Sequence, residues 1–206
     1  MRTEAPETKA KLNGLIAEAD FDALLAEADR MVESEPESYV GYWWMGRALT
    51  LTGRLDDAVR AFYESVKRAD DELEESRIMA SLANVFNVQK KHDVAEEYAE
   101  AALELDPGNP VGVLALSVAL ASTGRKREAS ELISASWGKL TEGYERASAY
   151  AVTGQKSRFI EALREDVAAN PHHRVTVLHD PEFRPYLRDP EFRAVIKLAK
   201  LKAPER

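Results

Sequence analysis

The chain has 206 residues, no cysteine, and a formal net charge of −8 from 28 basic and 36 acidic residues. An acidic chain disfavours general binding to nucleic acid, because the phosphate backbone repels it. The missing cysteines exclude disulfides, zinc–thiolate sites and cysteine nucleophiles, while 45% apolar residues with only 10 glycines and 9 prolines exclude a low-complexity chain.

Taken from the N-terminus, the sequence alternates helical patterns with short polar turns. After a polar start at residues 1–8, the apolar periodicity predicts five pairs of helices. We expect these helices at about 9–18 and 21–34, 39–52 and 55–70, 76–89 and 92–105, 110–123 and 126–137, and 141–153 and 155–169.

The second pair is the clearest. One apolar stripe of its first helix consists of Tyr42, Met45, Gly46 and Leu49. Glycine in mid-helix costs about 1 kcal/mol relative to alanine, so Gly46 indicates that a neighbouring helix crosses close by. Gly53 supplies a residue that leaves a right-handed helix without steric penalty.

Three landmarks of this pair recur along the chain in one register. The apolar landmark is Leu15, Leu49, Phe86, Leu120 and Tyr150, at spacings of 34, 37, 34 and 30. The turn landmark is Gly53, Lys90, Gly124 and Gly154, and the contact landmark is Ala58, Ala95, Ala129 and Phe159, both at spacings of 37, 34 and 30. Such a period predicts a helical-repeat protein, in which each hairpin buries its apolar face against its neighbours.

The motif order resembles the tetratricopeptide repeat. The resemblance is carried by Tyr42, Met45, Gly46, Leu49, Gly53, Ala58 and Phe62, by Met79, Leu82, Ala83, Phe86, Ala95, Ala102 and Pro107, and by Leu116, Ser117, Leu120, Gly124, Ala129 and Ile133. It implies an all-α, right-handed superhelical solenoid of about five helix pairs plus a C-terminal capping helix. The repeat array would cover residues 1–173, with units at about 5–38, 39–72, 76–109, 110–139 and 140–171.

The second repeat is three residues longer than the usual period. The extra residues fall in an acidic stretch that contains Asp70, Asp71, Glu72, Glu74 and Glu75. We interpret the stretch as a solvated connection between helices. The alternative is a rim that docks a basic segment.

The C-terminal residues 174–206 differ from the repeats because they contain Asp-Pro-Glu-Phe twice, at 180–183 and 189–192. Asp as N-cap, Pro at the first helical position and Glu in the first turn predict helix starts. We expect a short helical turn, then a helix at about 190–202 with its basic residues outward. The segment resembles an ending found on some tetratricopeptide-repeat proteins, which folds as a cap over the last repeat. The alternative is a helix that is released to bind a partner.

The resemblance further implies that the first helix of each pair lines a concave groove. The candidate partner-binding residues are Lys9, Asn13, Trp43, Arg47, Thr50, Arg77, Asn84, Asn87, Val111, Leu114, Val118 and Tyr144. Trp43 and Arg47 have the side chains that dominate binding hot spots, although Trp43 or Trp44 packing against the neighbouring repeat is the alternative. Lys9, Asn13 and Arg77 fall where one subfamily grips a terminal carboxylate, but Trp44 and Ser81 replace two residues which that clamp needs.

One cluster gives the enzyme hypothesis its only support. His172, His173 and His179 lie near Asp180, and histidine is a common metal ligand. Their spacing matches no metal motif, however, and Asp180 is needed as a helix cap. We therefore expect no metal site, no cofactor and no catalysis.

The sequence thus predicts a non-catalytic adaptor or assembly factor that binds a peptide or helix of a partner protein in its groove. A self-associating scaffold, which would be a homo-oligomer, is the alternative. No apolar core of a signal peptide is evident at the N-terminus, and the run from Val111 to Ala121 is too short to span a bilayer. We expect a cytoplasmic protein without membrane insertion.

Overall fold

A computed structural model describes residues 5–196, and that range contains helices and turns but no β-strand. Ten helices form five hairpins: α1 (Pro6–Glu18) and α2 (Phe21–Ser34), α3 (Tyr39–Leu51) and α4 (Leu55–Val66), α5 (Glu72–Val88) and α6 (His92–Leu105), α7 (Pro110–Ser122) and α8 (Lys126–Ala135), and α9 (Gly143–Val152) and α10 (Lys156–Ala169). A 3₁₀ turn at Trp137–Lys139 follows α8. The predicted all-α fold of paired helices is confirmed.

Each hairpin packs on the next, since α2 contacts α3, α4 contacts α5, α6 contacts α7, and α5 and α7 are themselves in contact. The hairpins therefore stack into a superhelical solenoid, as predicted. In the described part of the chain, no helix is long and apolar enough to cross a membrane.

The turn within each hairpin has the same geometry five times. The turn landmarks Gly53, Lys90, Gly124 and Gly154 all have positive φ angles, of 77°, 62°, 91° and 73°. The first hairpin has Ala19 at the equivalent place, with φ of 56°. In every hairpin the residue after this position donates its N–H to the carbonyl of the apolar landmark, which is Leu15, Leu49, Phe86, Leu120 or Tyr150. The spacing that recurs along the sequence therefore marks the C-terminal cap of the first helix in each hairpin.

Gly46 lies where two helices of one hairpin touch. A Cβ atom there would come within 2.7 Å of the Phe62 ring, which is itself fully buried. The close approach inferred from the sequence is confirmed.

The predicted stripe of α3 is narrower than the surface that the helix buries. Trp44 and Ala48 are both 0% exposed, whereas Tyr42 and Met45 are only partly buried. Trp44 shares a core cluster with Leu12 and other residues of the first hairpin. Because α3 is covered on more than one side, the second tryptophan belongs to the core.

The acidic stretch is part of a helix rather than a connection. Asp71 accepts a hydrogen bond from the N–H of Glu74 at 2.9 Å, and Glu74 accepts one from the N–H of Asp70 at 2.9 Å. These reciprocal bonds satisfy N–H groups that the first turn leaves unpaired. The extra residues therefore lengthen α5, which starts at Glu72 instead of about 76.

Beyond α10 the chain makes a single turn of helix α11 (His173–Thr176), a 3₁₀ segment (Pro181–Tyr186) and helix α12 (Pro190–Ile196). The remaining part of the helix predicted at about 190–202 falls on residues 197–202, which lie outside the described residues, as do residues 1–4 and 203–206. At the other end, α1 starts at Pro6, earlier than predicted, because proline is well suited to the first helical position.

Candidate functional site

Part of the face formed by the first helices of the hairpins is covered by the chain's own residues 172–187, called the C-terminal segment below. Its α11 contacts both α1 and α10, and its 3₁₀ turn contacts α9. Arg184 donates a hydrogen bond to the carbonyl of Val88 at the end of α5, at 3.2 Å. The C-terminal segment thus touches the first, third and fifth hairpins.

Apolar side chains hold this segment at both of its ends. Val175 is buried in the same core cluster as Leu12 and Ile16 of α1. Phe183 is fully buried and stacks on Phe159 of α10, with ring centroids 5.4 Å apart. Burying side chains of this size stabilises the docked segment by roughly 1.5–3 kcal/mol each.

Phe159 is the one large residue in the contact landmark, where the second, third and fourth hairpins have alanine. Its ring lies 4.7 Å from that of Tyr186 and 5.7 Å from that of Phe192, in addition to Phe183. The aromatic side chain suits the last hairpin because residues beyond the array cover it.

Polar groups of α9 hold the two acidic side chains of the C-terminal segment. The Tyr144 hydroxyl donates to Asp180 Oδ2 at 2.5 Å, and Ser148 Oγ donates to Glu182 Oε1 at 2.7 Å. The Tyr144 ring also lies 4.2 Å from the ring of His173. Two hydroxyl donors on one face of α9 therefore receive two carboxyl groups of the same short segment.

Burial changes the protonation of this site. Burial, reinforced by the nearby Asp180, raises the pKa of Glu182 to about 8. Burial also raises the pKa of Asp180, although the Tyr144 hydrogen bond and the positive charge of Arg47 oppose that rise. Burial lowers the pKa of His172 and of His179 to about 4. At neutral pH His172 and His179 are therefore uncharged and Glu182 is largely protonated.

Arg47 and Tyr144 are the two predicted site residues that the structure brings together around the C-terminal segment. Arg47 also lies over the rings of Trp43 and Trp44, at 5.0 and 4.7 Å from their centroids. Trp43 donates its indole N–H to Ser81 Oγ of α5 at 3.0 Å. Trp43 therefore bridges two hairpins and supports the Arg47 guanidinium. This contact with α5 agrees with the alternative interpretation, in which Trp43 packs against the neighbouring repeat.

The other predicted residues are spread along the array. Thr50 donates to the Gly46 carbonyl of its own helix at 2.8 Å, and Arg77 donates to the Tyr39 hydroxyl at 3.5 Å. The exposed members are Lys9, Arg77 and Val111, and the partly buried ones are Asn13, Asn84 and Leu114.

Two predicted site residues do not line the groove. Asn87 is 0% exposed and donates to the Ala115 carbonyl of α7 at 2.9 Å, so its amide joins two hairpins. Val118 is 4% exposed because α7 is packed against α5, α6, α8 and α9. The predicted apolar wall therefore offers chiefly Val111, which is 37% exposed.

The carboxylate clamp has no support in the structure. The two positions where the sequence departs from the clamp are Trp44, which is buried, and Ser81, which accepts the Trp43 hydrogen bond and donates to the Arg77 carbonyl. Both side chains therefore make contacts between neighbouring hairpins.

In the described part of the chain, no group of three or more His, Cys, Asp or Glu side chains is arranged to hold a metal ion. His173 pairs with Asp166 at 2.5 Å, while His179 packs edge-on against Phe21. Asp180 stands at the N-cap position of the 3₁₀ segment, but its side chain makes no cap hydrogen bond and accepts from Tyr144 instead. The three histidines thus have separate roles in seating the C-terminal segment.

Sequence reasoning missed Ser148, Asp166 and Glu182 as site residues. The sequence did contain a signal that the segment after α10 is packed against the array: residues 175–178, Val-Thr-Val-Leu, are too apolar for a solvated linker. Val175, Val177 and Leu178 are all buried.

Repeated hairpins with a shared C-cap register define the class: the chain is a helical-repeat protein. A family model described as "Tetratricopeptide repeat" matches residues 89–140, which hold helices α6–α8 and the 3₁₀ turn after α8. This part of the chain is therefore similar to the family that the sequence analysis named. Repeats of this family bind protein or peptide partners and are generally not catalytic.

A search of curated proteins finds no significant match. Among solved structures, "MamA MSR-1 C2" is 19% identical with a TM-score of 0.49, over 82% of this chain and 96% of that one. A second structure is titled "Crystal structure of YrrB: a TPR protein with an unusual peptide-binding site". It is 17% identical with a TM-score of 0.48, over 84% of this chain and 90% of that one.

Proposed function

We propose that this chain is a non-catalytic adaptor that holds a segment of a partner protein on the face formed by its first helices. The observation that carries the proposal is the C-terminal segment itself. An irregular stretch of chain lies across that face, and Tyr144, Ser148 and the Val88 carbonyl bind its polar groups. A surface that holds one such stretch has the shape and the donors to hold another.

Arg47 is the residue of this surface that best supports a binding role. Its guanidinium is pre-positioned over two indole rings, so it loses little side-chain freedom when it meets an acidic group. Its charge acts on both Asp180 and His172. We also retain the cytoplasmic location expected from the sequence as part of this proposal.

The test is affinity capture from the source cells, with partners quantified by mass spectrometry. We expect Arg47→Ala to reduce recovery of the partner at least tenfold, because removing an arginine hot spot typically costs 2 kcal/mol or more. The matched control is Arg127→Ala on α8, whose side chain is 88% exposed, and it should recover the partner normally.

Equal recovery with both variants would show that partners bind elsewhere. Light scattering on the same samples addresses the scaffold alternative, since a defined oligomer that forms without any partner would favour self-association. Helical circular dichroism must be unchanged in both variants for the comparison to count.

A further inference from the structure

The two copies of Asp-Pro-Glu-Phe have different roles. In the second copy, Asp189 Oδ1 accepts from the N–H groups of Glu191 and Phe192, at 2.9 and 3.2 Å, so it caps α12. Asp189 and Glu191 also form surface ion pairs with Lys156, at 2.6 and 2.9 Å. This copy is used as a helix start, as its sequence predicts.

The first copy gives up the capping role. The Asp180 side chain makes no cap hydrogen bond and accepts from Tyr144, while Glu182 accepts from Ser148. Phe183 enters an aromatic pocket between Tyr144 and Phe159, with ring centroids 5.7 and 5.4 Å away. Both copies thus begin a helical segment, but only the first directs its Asp and Glu side chains to hydroxyl donors of α9.

The receiving surface is built for this chemistry. Two hydroxyl donors come from one helix, the guanidinium of Arg47 acts on Asp180 from another, and the aromatic pocket lies beside them. Donors for two carboxyl groups next to a pocket for one ring define an acidic–aromatic recognition site.

We propose that this site recognises an acidic–aromatic segment of the Asp-Pro-Glu-Phe type in a partner protein, and that residues 180–187 are the chain's own resident copy. The proposal rests on the proposed function, because it names the chemistry of the partner that the same face binds.

For a partner segment to replace residues 180–187, only this part of the C-terminal segment has to leave the site. Val175 and Leu178 stay anchored in the interior, while residues 180–187 carry the contacts that a partner would replace. A tethered segment competes at an effective concentration on the order of millimolar. A partner must therefore add contacts outside the site, and the exposed Arg77 and Val111 on the same face are available for them.

The test uses the full chain and a labelled synthetic peptide with the sequence of residues 178–187, Leu-His-Asp-Pro-Glu-Phe-Arg-Pro-Tyr-Leu. The resident copy is weakened by Glu182→Ala with Phe183→Ala. We expect fluorescence anisotropy to show at least tenfold tighter peptide binding by this variant than by the wild type, because the site is freed. A peptide with Ala in place of its Asp, Glu and Phe should lose that binding, because it offers neither the hydrogen-bond acceptors nor the ring.

The second copy provides the matched protein control. Glu191→Ala removes the corresponding carboxyl group of the second copy, whose side chain is 66% exposed, and leaves the aromatic pocket intact, so it should give no gain. No binding by the freed variant, an equal gain in the control, or equal binding of the altered peptide would each overturn the proposal.

A second measurement does not depend on how the variants fold. Hydrogen exchange on the wild type should show amides of residues 181–187 opening faster than those of α9, and excess unlabelled peptide should increase their exchange. Exchange of 181–187 only together with α9 would mean a permanent cap and would overturn the proposal. If the peptide fails but Arg47→Ala still loses its partner, the proposed function stands and this inference falls.

Discussion

Two glycines in first helices show how one residue type has opposite effects in different surroundings. At Gly46 the space for a Cβ atom is taken by Phe62, whereas at Gly14 nothing lies within 4 Å of that position. Gly46 is therefore required by packing. Gly14 only adds flexibility to α1, because glycine in a helix interior is less stable than alanine.

The same substitution at both sites should change stability in opposite directions. We expect Gly46→Ala to lower the free energy of unfolding by about 1–3 kcal/mol, the usual effect of overpacking a core. Gly14→Ala should raise it by roughly 0.5–1 kcal/mol. Urea denaturation of the two variants checks the pair, and a stable Gly46→Ala protein would contradict the close approach of α3 and α4.

In two of the five hairpin turns, the residue with a positive φ angle is not the glycine that this conformation favours. Ala19 and Lys90 adopt the left-handed conformation that the other three turns give to glycine. Residues other than glycine lose roughly 1–2 kcal/mol in that conformation. The stacked hairpins impose the turn at these two places.

At the scale of one element, the C-terminal segment couples its docking to pH. Glu182 has a pKa of about 8 when the segment is docked and an ordinary value of 4.5 when it is free. Between these values the docked state keeps a proton that the free state has lost, so raising the pH favours release. This stabilisation is complete below pH 4.5 and is lost as the pH rises through about 8.

The neighbouring groups define the pH range for a clean test. Asp180 shifts in the same direction as Glu182, while His172 and His179, with pKa values near 4, stay neutral above their ordinary value of 6.5. Above pH 6.5 we therefore expect Glu182 and Asp180 to contribute to the slope, and a Glu182 variant isolates the part that belongs to Glu182.

We expect the thermal stability of the wild type to fall from pH 6.5 to 8.5, and Glu182→Gln to remove most of that slope, because an amide holds the Ser148 hydrogen bond without titrating. Thermal unfolding by circular dichroism at each pH gives the comparison. Glu191→Gln, whose side chain is 66% exposed, should keep the wild-type slope. Identical slopes in all three proteins would contradict the buried state of Glu182.

At the scale of the whole molecule, the C-terminal segment links the two ends of the array. Hairpins in a solenoid normally contact only their neighbours, yet α11 contacts both α1 and α10. Val175 is the residue that enters the cluster of the first hairpin. The first and last hairpins should therefore depend on each other for stability.

Shortening the Val175 side chain should reduce the protection of α1 against hydrogen exchange, although α1 is far from Val175 in the sequence. Val175→Ala removes two buried carbon groups and should cost about 2 kcal/mol, including the cavity that remains. We expect faster hydrogen exchange at Leu12 and Ile16 of α1 as well as in residues 172–187. Val195→Ala on α12, buried against the last hairpin, is the control and should leave exchange in α1 unchanged. Unchanged α1 protection in Val175→Ala would contradict the link.

The sequence by itself determined the repeat. The C-cap register, the small contact residues and the close approach at Gly46 are all settled within one hairpin of about 34 residues, so their spacing along the chain was sufficient to predict them. The same local reasoning predicted Asp189 as a cap, and the capping bonds confirm it.

Only the tertiary structure decided what occupies the face of the first helices. The contact of Arg184 with Val88 spans 96 residues, and it depends on the curvature that five stacked hairpins add up to. Local pattern made Asp180 a helix cap, just as it did for Asp189. Asp180 has a different role, because the folded chain buries it beside Tyr144 and places the Tyr144 hydroxyl within hydrogen-bond distance of its carboxyl group.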